Sequence, residues 1–178
     1  MPKMSSPLRR IENADLALCL RCNRLSRYGF WRGLFRVVSR LGNGVFWYTL
    51  MAALILTQGP TALPVVGRML LAAGLGLMAY KWLKAKTSRP RPYQVYQVIS
   101  AAAPALDRFS FPSGHTLHAV TFSLVACQAY PDLAFVAWPF TALVALSRPV
   151  LGLHYPSDVL AGATLGALIA HAVTLFWA

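Results

Sequence analysis

SGHTLHAVTFSLVACQAYPDLAFVAWPFTALVALSRPVLGLHYPSDVLAGATLGALIAHAVTLFWA, residues 113–178, decides the fold. It reads as three apolar runs, at about 114–130, 132–148 and 157–177, broken by short polar punctuation. A membrane-spanning helix needs roughly 20 apolar residues, so the runs are close to spanning length and the shorter ones extend into the interface. Pro131 and Asp132 mark a tight turn between the first two runs. The last run carries Gly162 and Gly166 among Ala161, Ala163 and Ala167, small residues that let helices approach closely in lipid.

Working outward, two more apolar segments, at about 43–59 and 61–83, precede a polar connection from Lys84 to Pro112. The predicted fold class is therefore an all-α integral membrane protein, with about five transmembrane helices in one bundle. Arg68, near one end of its segment, can snorkel to the interface. A connection as long as 84–112 is a functional candidate, and Val95 to Leu106 is expected to form a short interfacial helix. Upstream, residues 1 to about 12 read as a disordered tail with no cleavable signal peptide. Ala14–Arg27 and Phe30–Leu41 are amphipathic. In the second, Arg32, Arg36 and Arg40 lie opposite Phe30, Trp31, Leu34, Val37, Val38 and Leu41, the pattern of a helix lying in the membrane interface. The expected division is 1–42, a basic tail with interfacial helices, and 43–178, a membrane domain.

Composition agrees. Of 178 residues 57% are hydrophobic and 12% charged, against about 25% charged in a soluble domain. Seventeen Lys and Arg face five acids, Glu12, Asp15, Asp107, Asp132 and Asp158. In so apolar a chain this excess points to anionic lipid headgroups or a phosphorylated substrate, and no nucleic-acid partner is expected. Magnesium-dependent phosphoryl chemistry needs clustered carboxylates, and only Glu12 and Asp15 are near neighbours in the chain, so neither metal nor cofactor is expected. Cys19 and Cys22 lack zinc partners or a redox setting and read as two small residues on a helix face. The oligomeric state is not legible.

Following the crossings, the end of the second segment, the start of the third, the end of the fourth and the start of the fifth share one membrane face. Those places hold Lys84 and Arg91, Ser113 and His115, Arg148 and His154, and Asp158. Topology thus assembles a candidate site. The same residues form three ordered motifs: Lys84, six residues, Arg91-Pro92; Pro112-Ser113-Gly114-His115; and Ser147-Arg148, five residues, His154, three residues, Asp158. In these the chain resembles the type 2 phosphatidic acid phosphatase family, membrane lipid phosphatases that share motifs with soluble bacterial acid phosphatases and vanadium haloperoxidases. The resemblance runs from about residue 43 to the C-terminus.

The resemblance implies a lipid phosphatase acting through a phosphohistidine without a metal. A phosphoryl group in transfer spreads negative charge over its oxygens, and catalysis is mainly positioning and electrostatics. Lys84, Arg91 and Arg148 would supply positive charge, while the Ser113 hydroxyl and Gly114 amide would add donors at a helix N-terminus. His154 would be the nucleophile, Asp158 would hold its tautomer, and His115 would protonate the leaving alkoxide and later activate water. His118, one turn from His115, reads either as tuning the pocket or as packing; His171, deep in the last helix, reads as a polar contact; Lys81, Lys86 and Arg89 read as topology anchors. Phosphatidic acid, phosphatidylglycerol phosphate and polyprenyl diphosphate all fit as substrates. A phosphotransferase would share the first half-reaction, and a non-catalytic lipid-binding protein would not require His154 and Asp158 at this spacing.

Five crossings put sixteen of the seventeen basic residues, all but Arg68, on the active-site face. The positive-inside rule then favours a cytoplasmic site in a multi-pass inner-membrane protein. The six-crossing bacterial relatives with an outward-facing site would have one helix more at the N-terminal end.

Overall fold

Ser113 shows how the motifs shape local structure. Its backbone is extended and its hydroxyl accepts the Thr116 amide at 3.4 Å, a side-chain N-cap that starts a helix at Gly114. In a computed structural model, which describes residues 6–177, the helices are α1 Ser6–Asn23, α2 Gly29–Arg40, α3 Phe46–Gln58, α4 Leu63–Thr87, α5 Pro92–Val95, α6 Gly114–Ala129, α7 Ala134–Val150 and α8 Pro156–Phe176. There is no strand among the described residues. The five apolar helices α3, α4, α6, α7 and α8 fall on the five expected segments. The stretches long and apolar enough to cross a membrane are Gly29–Val95, which contains both α3 and α4, Pro131–Val150 and Pro156–Phe176.

The 16-residue α6 is about 24 Å long, shorter than a bilayer's hydrocarbon core. It is also enclosed by protein. It packs against α4, α7 and α8, and nine of its residues are buried. Against α8 the backbones nearly touch: a Cβ on Gly162 would collide with the Ser113 carbonyl, and one on Gly166 with the Leu117 carbonyl. Thr121 donates to the Leu117 carbonyl at 2.8 Å and has the Gly166 carbonyl at 3.0 Å. Towards α7, the Ser123 and Thr141 hydroxyls pair at 2.7 Å. Small residues and buried hydroxyls of this kind hold helices together where lipid offers no hydrophobic drive. The main apolar core joins Trp47 and Met51 of α3, Met69 of α4, Phe122 of α6, Val144 of α7 and Val173 of α8.

Two expectations need correction. The segment 1–12 was expected to be disordered. Residues 1–5 lie outside the described part, but α1 begins at Ser6 and takes in the remainder. Asp15, one turn further on, is buried against the start of α8, which anchors the helix. The expected helix over Val95–Leu106 is absent. α5 ends at Val95, and the chain beyond it is irregular up to Ser113. Pro104 lacks an amide donor and turns Ala103 away from helical geometry. The segment's polar groups are also taken by other elements. Asn23 of α1 exchanges hydrogen bonds with the Ser100 backbone at 3.0 Å each way, Arg36 of α2 donates to the Ala102 carbonyl, and the Ala102 amide donates to the Leu151 carbonyl at 3.0 Å. The loop is pinned from outside in place of forming its own ladder.

Candidate active site

The third motif straddles a tight reversal between α7 and α8. α7 runs through Pro149 to Val150, and Gly152 then takes a left-handed φ of +73°. A side chain at Gly152 would meet the Ser100 carbonyl and Ile99, so both conformation and space call for glycine. The returning chain folds over the end of α7: the amides of Leu153 and His154 approach the Arg148 carbonyl at 3.0 and 3.4 Å. Both the side chain and the backbone of the 148–154 segment are thereby fixed next to the α8 N-terminus. There Asp158 accepts the Tyr155 amide on Oδ2 at 2.9 Å.

His154 is buried. Its Nδ1 faces Asp158 Oδ2 at 3.7 Å, and its Nε2 lies 3.2 Å from Arg91 Nη1. The first distance is too long for a hydrogen bond, and Nδ1 has no other partner. Hydrogen bonds of this type often tighten only when substrate is bound. A guanidinium can only donate, so its contact with Nε2 requires a lone pair there and places the imidazole proton on Nδ1, towards Asp158. Burial, followed by the charges of Arg91, Arg148 and Lys84, holds His154 well below the ordinary histidine value, against a raising contribution from Ser110. The ring is neutral at pH 7.

The cations come from four places. Lys84, in the last turn of α4, donates to Asp107 Oδ1 at 2.8 Å and to the Phe109 carbonyl at 2.9 Å. Arg91, just before α5, donates to the same Asp107 oxygen at 2.7 Å and to the Leu153 carbonyl at 2.7 Å. Arg148 is buried, donates to Ser39 of α2 at 2.6 Å and leaves its Nε without a partner. Burial tends to push Asp107 upward, but its hydrogen bond to Lys84 and the charges of Lys84 and Arg91 prevail and hold it below the usual carboxylate range. Arg89 spans Asp158 and Asp15, at 2.7 Å to each, and stacks over Tyr155.

Lys84, Arg91, Gly114, His115, Arg148 and His154 line one cavity of about 1150 Å³, together with apolar side chains such as Trp47, Leu70, Leu77 and Phe122. His118 lines it too, its ring perpendicular to Tyr80 and stacked near Phe122. Two expected site residues stand behind the wall. Ser113 is fully buried, with its hydroxyl turned to Thr116, and Asp158 is fully buried behind His154. His171 lies at a separate groove, and Cys19 is a free, buried thiol packed with Ile99 and Tyr155. Burial, then Cys22 and Asp15, push the Cys19 thiol up to about 12, so it carries no thiolate at neutral pH.

Sequence reasoning passed over Asp107, which clamps Lys84 to Arg91, and treated Arg89 as an anchor although it holds Asp158. It also found only Glu12 and Asp15 close together, whereas in space Asp15 and Asp158 share one guanidinium. The only available signal was the position of Arg89 and Asp107 inside the long functional connection. Among the described residues no three His, Cys, Asp or Glu side chains gather as a ligand set.

The comparisons with known proteins coincide with this geometry. The chain is 34% identical to the decaprenylphosphoryl-5-phosphoribose phosphatase of Mycolicibacterium smegmatis over 134 residues, 71% of this chain and 68% of that one. It is 23% identical to an undecaprenyl-diphosphatase of Sulfolobus acidocaldarius over 158 residues, 88% and 74% of the two chains. Among solved structures, the transmembrane PAP2 type phosphatidylglycerolphosphate phosphatase of Bacillus subtilis superposes with a TM-score of 0.73 at 26% identity, covering 94% of this chain and 86% of that one. Aquifex aeolicus LpxE shares the fold, with a TM-score of 0.73 at 23% identity over 90% of this chain and 94% of that one. Residues 65–178, which contain all three motifs, match the PAP2 superfamily, and the chain belongs to that family.

Proposed function

We propose that this membrane phosphatase hydrolyses a lipid phosphomonoester or a polyprenyl diphosphate through a phosphohistidine on His154, without a metal. The observation that carries the reading is the orientation of the His154 ring, with Nε2 beside Arg91 at the cavity and Nδ1 towards Asp158. Nε2 forms a bond to phosphorus as the bond from phosphorus to the leaving oxygen breaks. Protonated His115 donates its proton to that oxygen, and the lipid alcohol, or the lipid monophosphate, departs. His115, now neutral, takes a proton from water, which attacks phosphorus, breaks the N–P bond and releases inorganic phosphate. Lys84, Arg91 and Arg148 neutralise the phosphoryl oxygens, and the Gly114 amide at the start of α6 adds a donor. Asp158 stabilises the cationic ring, and Ser113 acts by capping the helix that carries His115.

The apolar part of the cavity lining suits a substrate whose tail stays in the bilayer, and the named relatives act on lipids of that kind. α1 and α2 would lie in the membrane interface beside the site, a reading supported by the contacts of Asn23 with the Ser100 backbone, Ser39 with Arg148 and Asp15 with Arg89. On the positive-inside rule that end is cytoplasmic in an inner membrane. Labelling a cysteine placed at the C-terminus from outside intact cells should succeed; failure would reverse the orientation.

The test of function is phosphate release in detergent micelles containing EDTA, from phosphatidic acid, phosphatidylglycerol phosphate and undecaprenyl diphosphate, with His154→Ala alongside. Release by the wild type and none by the variant is expected, and the ranking of rates names the substrate. Loss of wild-type activity in EDTA would overturn the metal-free mechanism. Silence on all three lipids would favour phosphoryl transfer to another acceptor, to be sought by trapping labelled phosphohistidine.

A further inference from the structure

A continuous polar network outside the cavity runs from α1 to the start of α8. Asp15 accepts the Ser157 amide on Oδ1 at 2.9 Å, and on Oδ2 the Ser157 hydroxyl and Arg89 Nη2, the latter at 2.7 Å. Arg89 Nη1 reaches Asp158 Oδ1 at 2.7 Å and Ser157 Oγ at 2.8 Å. Asp158 is left with Oδ2 alone to face His154. Asp15 and Asp158 are both buried, whereas Arg89 between them is 28% exposed, so the two carboxylates sit where charge matters and the guanidinium keeps some contact with water.

Simple charge counting gives the network a purpose. A bare Arg89–Asp158 pair is neutral and offers little to a histidine that turns cationic when it is phosphorylated. Adding Asp15 gives two carboxylates to one guanidinium, a net charge of −1 behind the ring. We propose that Asp15 and Arg89 are positioning residues for the phosphoryl-transfer step: Arg89 fixes the Asp158 carboxylate, and Asp15 offsets Arg89 so that Asp158 keeps its charge for His154. This rests on the assignment of His154 as nucleophile. It makes α1, which lies before the family match, part of the working enzyme.

The other charged or titratable groups around His154 are Arg91 in the linker, Lys84 on α4, His115 on α6 and Arg148 on α7. Asp107 is bound to Lys84 and Arg91, and the Cys19 thiol points at the His154 carbonyl. None of these changes in the variants below.

The experiment is the pH profile of kcat/KM for phosphate release by the full chain in micelles, normalised to folded protein. Asp15→Asn leaves a neutral pair behind His154, so its acid limb should move to lower pH, and kcat should fall roughly ten- to a hundredfold with KM little changed. Arg89→Gln leaves two carboxylates, and its limb should move to higher pH. The double variant should return the limb towards wild type while kcat stays low, and Asp15→Glu should recover part of the rate. Exposed Glu12 on the same helix, changed to Gln, should alter nothing. Shifts of opposite sign are beyond a purely structural clamp. An unmoved limb in both single variants, or shifts of the same sign, would overturn the proposal. Should Asp15→Asn not fold, the sign of the Arg89→Gln shift alone decides. His154→Ala is assayed in parallel: if it retains turnover, the nucleophile assignment has failed; if it is dead while the limbs stay put, only the role of Asp15 and Arg89 has failed.

Discussion

Both ends of the helix bundle present a histidine at a cavity, but the two cavities are furnished differently. At one end His115 and His154 line a space of about 1150 Å³ with Lys84, Arg91 and Arg148. At the other, His171 of α8 lines a groove of about 400 Å³ with Cys127, Gln128 and Trp138, and no Lys, Arg, Asp or Glu is among its lining. Histidine placement alone is therefore uninformative. What separates the two ends is fixed charge around the ring and a carboxylate behind it, which set both its tautomer and its protonation.

The sharpest way to break this comparison is His154→Ala. It should lower turnover at least about a thousandfold, as loss of a nucleophile does, measured as phosphate release in micelles. Next, His115→Ala should cost on the order of 10²–10⁴ in rate. If His115 serves both half-reactions, a substrate with a good leaving group should be rescued only in the first, and labelled phosphohistidine should accumulate. Gly166→Ala tests the seam joining the two ends. Its Cβ would strike the Leu117 carbonyl, and overpacking of this kind costs about 1–3 kcal/mol, read as a fall in thermal midpoint. Gly74→Ala, which meets nothing within 4 Å, should be neutral by the same measure.

A smaller effect concerns pH. His154 titrates well below its ordinary value of 6.5 in the folded chain. The free imidazole thus stays neutral on mild acidification, and the acid limb of kcat/KM attributable to it should lie below 6.5. The unfolded chain takes up that proton first, so His154 contributes stability that is present above about 6.5 and is lost as pH falls towards its folded value. Thermal midpoints across this window should decline, and less so in His154→Ala. Smallest of all, His171→Ala should leave activity within about twofold, since no charged group shares its groove. A large loss there would erase the distinction between the two ends.

Much of this was legible in the chain. The five apolar helices follow from hydrophobic runs close to bilayer length, a local property that survives without knowledge of any partner. The motif residues fall at helix ends on one face because topology alternates. The 95–106 segment was misjudged because its backbone is satisfied by Asn23, Arg36 and Leu151, residues remote in sequence. The Ser113 hydroxyl accepts the Thr116 amide and pairs with the Thr116 hydroxyl at 3.0 Å, a local role as helix cap that the motif by itself does not reveal.

The sequence by itself determined that this is a helical membrane protein, and that Lys84, Arg91, His115, Arg148, His154 and Asp158 meet at one end of it. Spacing and hydrophobicity are enough for that, because lipid admits only helices whose backbone bonds are internal or barrels that close on themselves. Only the tertiary structure decided which groups touch: that Asp107 joins Lys84 to Arg91, that Arg91 meets His154 Nε2, and that Asp15 and Asp158 share Arg89. Those contacts join residues up to 74 positions apart, and their existence depends on helix packing at ångström scale, which no local pattern encodes.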